Sequence, residues 1–348
     1  MRGSSNPFPR LAILAATIAL SQVGVARAAE DAAVADLLAG RFRWLSTPPL
    51  LKLAERADDL CYSVKDPSVV RFEGRWHVFC TIRGKNRSHQ VEYISFPDWD
   101  QTARARREIL KISDEYFCAP QVFYFTPHKK WYMILQVVDK SRKPALQPAC
   151  CTTEKLAEPG SWSKPALLFE EQPANVSAWI DFWVICDDAK AHLFFTSLNG
   201  LMWRAETPLK DFPHGWGKPQ IVLRGDIFEA SHTYRLKGIE KYLTLVEAQA
   251  GGRRYYKAYL ADRLDGEWKP AADTLQKPFA APGNVRFGGE RWTDSFSHGE
   301  LLRAGHDEKL EVDPARLRFL YQGVSDSAKQ GKPYGQIPWQ LGLLESER

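Results

Sequence analysis

The run Val69-Val70-Arg71-Phe72-Glu73-Gly74-Arg75-Trp76-His77-Val78-Phe79 decides the fold. Two apolar and aromatic stretches flank Glu-Gly, and a two-residue turn of this kind between strand-forming runs signals a β-hairpin. The same plan recurs down the chain. Gln121 to Phe125 leads through Thr126-Pro127-His128-Lys129-Lys130 into Trp131 to Leu135, and Phe182 to Cys186 turns at Asp187 to Lys190 and returns as His192 to Phe195. Thr233 to Leu236 turns at Lys237-Gly238 and returns over Lys241 to Val246, while a fifth, less regular pair begins at Glu300-Leu301-Leu302-Arg303 and returns at Arg318-Phe319-Leu320-Tyr321. No long amphipathic helical pattern and no Pro- or Gly-rich linker interrupts the series.

A polar group stands just before the first run of each pair: Asp66, the Ala119-Pro120-Gln121 step, Asp181, Glu229 and His298, at spacings of 53, 62, 48 and 69 residues. Repeats on this scale mark propellers, and each unit has room for four strands and their loops. The expected fold is therefore all-β, a five-bladed β-propeller forming one domain over residues 29–348. The innermost strand of every blade lines the central channel of a propeller. Asp66, Asp181, Glu229 and His298 should accordingly converge. One acid ahead of a strand is an ordinary turn cap, but three carboxylates and a histidine in matching places of a repeat describe a site.

The first residues obey other rules. Arg2 and Arg10 precede an apolar run from Leu11 to Leu20, followed by Ala26-Arg27-Ala28, which is the pattern of a secretory signal peptide over 1–28. The run is shorter than the roughly 20 residues that span a bilayer. A secreted protein, extracellular or periplasmic, with no membrane association after cleavage is expected. The 348 residues carry 47 Lys+Arg against 42 Asp+Glu, and the leader accounts for Arg2, Arg10 and Arg27 with no acid. So small a surplus, with no basic stripe, argues against a nucleic-acid partner. The 18 Phe, 12 Tyr and 12 Trp point instead to packed and stacking surfaces. Cys61, Cys80, Cys118, Cys150, Cys151 and Cys186 all follow the leader, so one or two disulfides plus buried thiols are expected in an oxidising compartment.

Carboxylates crowded at a channel mouth lose hydration and repel one another, which raises some pKa values and leaves other groups ionised. Glycoside hydrolysis needs that split: one carboxylic acid protonates the leaving oxygen while a carboxylate activates water or attacks the sugar. The chain has no Gly-x-Ser-x-Gly elbow, His-Glu-x-x-His helix, Walker loop or dinucleotide fingerprint, so the chemistries they serve leave no trace. His298, within Ser297-His298-Gly299-Glu300, is either a core histidine or an axial ligand to metal or water.

The blocks Lys65-Asp66-Pro67-Ser68-Val69-Val70, Ala119-Pro120-Gln121-Val122-Phe123-Tyr124-Phe125, Asp181-Phe182-Trp183-Val184-Ile185-Cys186-Asp187, Phe228-Glu229-Ala230-Ser231, Gly252-Arg253-Arg254-Tyr255, Ser297-His298-Gly299-Glu300-Leu301 and Arg318-Phe319-Leu320-Tyr321-Gln322-Gly323 resemble, in order, glycoside hydrolase family 62. The resemblance runs from about Phe42 to Leu341. It implies an α-L-arabinofuranosidase on a five-bladed propeller that removes arabinofuranosyl side groups from the polysaccharide arabinoxylan with inversion. It further implies Asp66 as general base, Asp181 as the carboxylate that tunes and orients, Glu229 as general acid, and Lys65 and Tyr334 as substrate-binding residues. His298 matches a histidine associated with a central calcium ion, and no organic cofactor is implied.

Departures cluster around the substrate. Val137 stands where many members have Trp, Gly335 where Tyr is followed by Asn, and His232 where Asn is common; the Cys that often precedes the final Arg-Phe-Leu-Tyr strand is missing from Asp313-Pro314-Ala315-Arg316-Leu317. Two alternatives stay open: a related propeller glycosidase, a β-xylosidase or arabinanase, and a carbohydrate-binding propeller without turnover. A monomer is expected.

Overall fold

Each hairpin of the series grows into an antiparallel sheet, and the computed structural model, which describes residues 27–347, arranges five such sheets as the blades of a β-propeller. Blade 1 contains Cys61–Phe72, Arg75–Gly84, Gln90–Phe96 and Arg106–Ile109; blade 2 contains Phe117–Phe125, Lys130–Val138, Leu146–Thr153 and Ala166–Leu167. Blade 3 is built from Ile180–Cys186, Lys190–Thr196, Leu201–Pro208 and Gln220–Arg224, and blade 4 from Ser231–Leu236, Tyr242–Ala250, Arg253–Ala261 and Lys269–Ala272. The expected hairpins are present. Glu73 and Gly74 both take positive φ (47° and 74°), as the tight turn joining two right-twisted strands requires.

Blade 5 differs from its expected form. Its inner strand is Ser295–Leu301, starting before Glu300, and it pairs with Arg318–Val324 across a long excursion. Within that excursion Glu311–Val312 adds a parallel strand to the inner edge of blade 4. Blade 5 also closes the ring. Trp44–Ser46 pairs antiparallel with Gln340–Ser346, with Trp44 opposite Ser346, and parallel with Val285–Phe287. Trp44 is fully buried, edge-on to Phe279 at 5.0 Å between ring centroids.

The aromatic residues fill the spaces between blades. Trp183 of blade 3 meets Tyr234 of blade 4 edge-on at 5.4 Å, and Phe72 of blade 1 meets Trp131 of blade 2 at 5.1 Å. Burying one such side chain contributes about 1.5–3 kcal/mol, so the blades are held by aromatic wedges. Among the described residues Tyr334 is the only aromatic left exposed, at 49%. The expected disulfides do not form: all six cysteines are buried free thiols. The expected leader lies almost wholly outside the described residues, whose N-terminal part is helical over 27–38.

Candidate active site

The inner strands do not run straight to the axis. Their pairing slips between Lys65 and Ser68, Cys118 and Gln121, Ile180 and Trp183, and Ser297 and Gly299. A bulge of this kind bends the strand and re-aims a side chain. At the slips of the first three blades Asp66, Ala119 and Asp181 adopt positive φ (47°, 49° and 57°), and Ala230 does so at the start of blade 4 (53°). Such conformations cost about 1–3 kcal/mol each for residues with a Cβ and collect at functional sites. The repeat is thereby corrected: Ala230, not Glu229, occupies the place of Asp66 and Asp181. Glu229 stands one residue earlier, matching Lys65. The polar groups also lie inside or against the inner strands, with Asp66 in the middle of Cys61–Phe72.

The bulges bring Lys65, Asp66, Asp181, Glu229, His298 and Tyr334 around one cavity of about 370 Å³, which His89, Tyr116, Cys118, Gln136 and Arg254 also line. All six residues expected at the site are there. Lys65 Nζ lies 3.3 Å from Tyr334 Oη and 3.9 Å from Asp66 Oδ1. His298 Nδ1 lies 3.5 Å from Asp66 Oδ1 and 3.7 Å from Asp181 Oδ2. The Asp66 N–H donates to Gln322 Oε1 at 2.8 Å, and the Asp181 N–H to Gln136 Oε1 at 3.2 Å, so amide side chains pin both bulges from neighbouring blades.

Charge divides the acids. Burial alone would raise Asp66, but Lys65, His298 and a hydrogen bond from Thr81 outweigh it and hold the carboxyl below its usual value. Burial lifts Asp181 to about 6, against His298 and with help from Asp66 and Glu247. Glu229 is pushed well above the ordinary range by burial and then by the charges of Glu247 and Asp181, with Arg254 and Lys65 opposing. The pocket thus favours the ionised form of Asp66 and the protonated form of Glu229.

Two supporting residues escaped the sequence reading. Glu247, fully buried, accepts from Arg254 Nη1 at 2.8 Å, from the His298 N–H at 2.8 Å and from Ser297 Oγ. Arg254 Nη1 also reaches Glu229 Oε1 at 3.1 Å, with its guanidinium 3.7 Å from the Phe228 ring centre. Glu247 lies mid-strand in an apolar run and carries no local signal; Arg254 sat in a quoted block, but only the fold reveals its partners.

A calcium ion at His298 does not match the donors present. A hard cation takes six to eight oxygen ligands. Among the described residues no three His, Cys, Asp or Glu side chains gather where they could share a metal. His298 offers a nitrogen turned toward two carboxylates, so an ion there would depend almost wholly on water, and no chemical step below runs through one.

Comparison with known proteins agrees with this geometry. The model of a family described as glycosyl hydrolase family 62 matches residues 43–345. "Alpha-L-arabinofuranosidase C" of Cellvibrio japonicus is 38% identical over 313 residues, covering 88% of this chain and 47% of that protein; the chain thus spans about half the length of that relative. The catalytic domain of a GH62 α-L-arabinofuranosidase from Coprinopsis cinerea superposes with a TM-score of 0.82 at 36% identity, over 88% of this chain and 97% of that one. The Podospora anserina α-L-arabinofuranosidase PaAbf62A, in complex with cellotriose, gives 0.80 at 35%, with coverages of 88% and 97%. With its model matched over residues 43–345 of a five-bladed ring, the chain belongs to glycosyl hydrolase family 62.

Proposed function

We propose that the protein is an α-L-arabinofuranosidase that removes arabinofuranosyl side groups from arabinoxylan with inversion of configuration. The observation that carries this reading is the opposite displacement of two acids in one rigid pocket, Asp66 downward and Glu229 upward. An ionised Asp66 takes a proton from water, whose oxygen attacks the anomeric carbon. Protonated Glu229 gives its proton to the xylose oxygen as the glycosidic bond breaks, so the proton count closes. This is the division of labour of an inverting glycosidase. Asp181 adds to burial and Glu247 in favouring the protonated form of Glu229 and, by accepting from the Ala230 N–H, holds the adjoining backbone. Lys65 and Tyr334 form the polar and aromatic rim on which the sugar rests. The names of the relatives support arabinose as the released sugar, and the leader pattern over 1–28 supports export.

Incubation with arabinoxylan, linear arabinan and unsubstituted xylan tests the reading. Free arabinose from the first alone is the expected result, with the β-anomer formed first by NMR. Arabinan cleavage or xylose release would favour the arabinanase or β-xylosidase reading, and retained activity in Asp66→Asn or Glu229→Gln would overturn the roles.

A further inference from the structure

Gly335 follows the sugar-binding Tyr334 and carries no side chain, yet the space beside it is filled. A Cβ built at Gly335 would lie 2.6, 2.7 and 2.8 Å from Nη2, Nη1 and Cζ of Arg83. The guanidinium of Arg83 therefore occupies the volume into which a side chain at 335 would project. Arg83 reaches it from blade 1: it pairs with Ser63, two residues beyond Thr81, and Thr81 pairs with Lys65. Positions two apart on a strand share a face, and Thr81 is the residue whose hydroxyl bonds Asp66. Arg83 thus stands on the catalytic face, one step further out toward the rim. Its neighbour His89 lines the pocket, and burial, with the charges of Lys65 and Arg83, depresses that imidazole to about 4, so Arg83 and not His89 supplies positive charge here at neutral pH.

Among the described residues the guanidinium has no hydrogen-bond or ion-pair partner. Arg83 Nε is buried without a hydrogen bond, whereas the terminal nitrogens are not among the buried unpaired atoms. Asp59, which packs against the backbone of Gly84, accepts the N–H of Asn86 and makes no ion pair with Arg83. A planar fork of donors, buried at its base and lacking a counter-charge among the described residues, is shaped for bidentate capture of a carboxylate.

Resting on the proposed function, we propose that Arg83 is a specificity-determining residue that takes the carboxylate of a uronic acid side group on the xylan chain, close to the xylose that bears the departing arabinose. A protein with an uncharged side chain at 335 and no guanidinium in that space would make no such distinction. The polysaccharide served best is then an acidic arabinoxylan.

The test measures kcat and KM for arabinose release from matched arabinoxylans with and without uronic acid groups. Wild-type KM should be about tenfold lower on the acidic polymer, in keeping with a charge-assisted contact, and this advantage should shrink as NaCl is raised. Arg83→Ala should raise KM on the acidic polymer about tenfold relative to the neutral one, and Arg83→Lys should fall between. Gly335→Asn, which drives the guanidinium from its place, should erase the same preference while leaving Arg83 in the chain. Equal KM values on the two polymers in the wild type, or an equal loss on both in Arg83→Ala, would overturn the proposal. Wild-type hydrolysis of an aryl α-L-arabinofuranoside separates the two levels: its absence would defeat the arabinofuranosidase reading, whereas its presence with no acidic preference would defeat only the role of Arg83.

Discussion

The backbone N–H of Ala230 donates to Asp181 Oδ2 at 3.0 Å, tying the carboxylate of blade 3 to the residue beside Glu229 on blade 4. Asp181 thus acts on both the backbone beside Glu229 and, after burial and Glu247, on its charge. Glu229 faces Glu247 and Asp181, which raise its pKa, and Arg254 and Lys65, which lower it. Asp181→Asn removes one raising charge, so Glu229 loses its proton at lower pH. The alkaline limb of the kcat profile should move down, and kcat at neutral pH should fall by roughly 10²–10⁴, the range of general acid catalysis. A pH–rate profile checks both.

Arg254 provides the opposite displacement. Arg254→Met removes a charge that lowers Glu229, so the alkaline limb should move up. It also leaves Glu247 buried without its cation, which typically destabilises by about 3–5 kcal/mol. Denaturant unfolding beside the rate profile separates the effects, and a downward limb shift would refute the account.

His232 makes stability depend on pH. Stacked on Trp183 at 4.3 Å and bonded through Nδ1 to the Gly299 carbonyl, it is held well below its usual pKa by burial and then by His298. The unfolded chain takes up a proton below about pH 6.5 while the folded protein does not, so stability falls with pH by up to about 1.4 kcal/mol per unit for this group. The Tm of wild type minus that of His232→Asn should decline between pH 7 and 5. A constant difference would show that His232 is protonated in the fold.

With six buried free thiols, oxidation contributes nothing to this fold. Reductant should leave Tm unchanged, and an alkylating reagent should modify no cysteine in native protein and all six in guanidinium. Mass spectrometry counts the adducts.

The propeller was legible because strand alternation and turn residues are local, and five copies reinforced one another from Val69 to Tyr321. The three acids, Lys65, Tyr334 and His298 were found through the repeat and the family blocks. The one-residue offset of Glu229 was not, since it depends on which residue takes positive φ, and Asp66, Asp181 and Ala230 share no side-chain type. Glu247 and the partners of Arg254 and Gln322 were missed for a related reason: Glu247 reaches His298, and Gln322 reaches Asp66, across a blade boundary, where no sequence spacing is informative. Charge surplus carried little, whereas the aromatic surplus proved to be packing, with Tyr334 its exposed remainder.

The pairing of Trp44–Ser46 with Gln340–Ser346 also fixes when the pocket comes into being. Lys65 and Tyr334, 3.3 Å apart in the finished ring, lie 269 residues apart in the chain, one on blade 1 and the other just before the closing strand Gln340–Ser346. A growing polypeptide can build blades 1 to 4 in turn, but their open flank stays wet and the sugar rim has only one half until the closing strand arrives. The pocket is consequently incomplete until the ring closes.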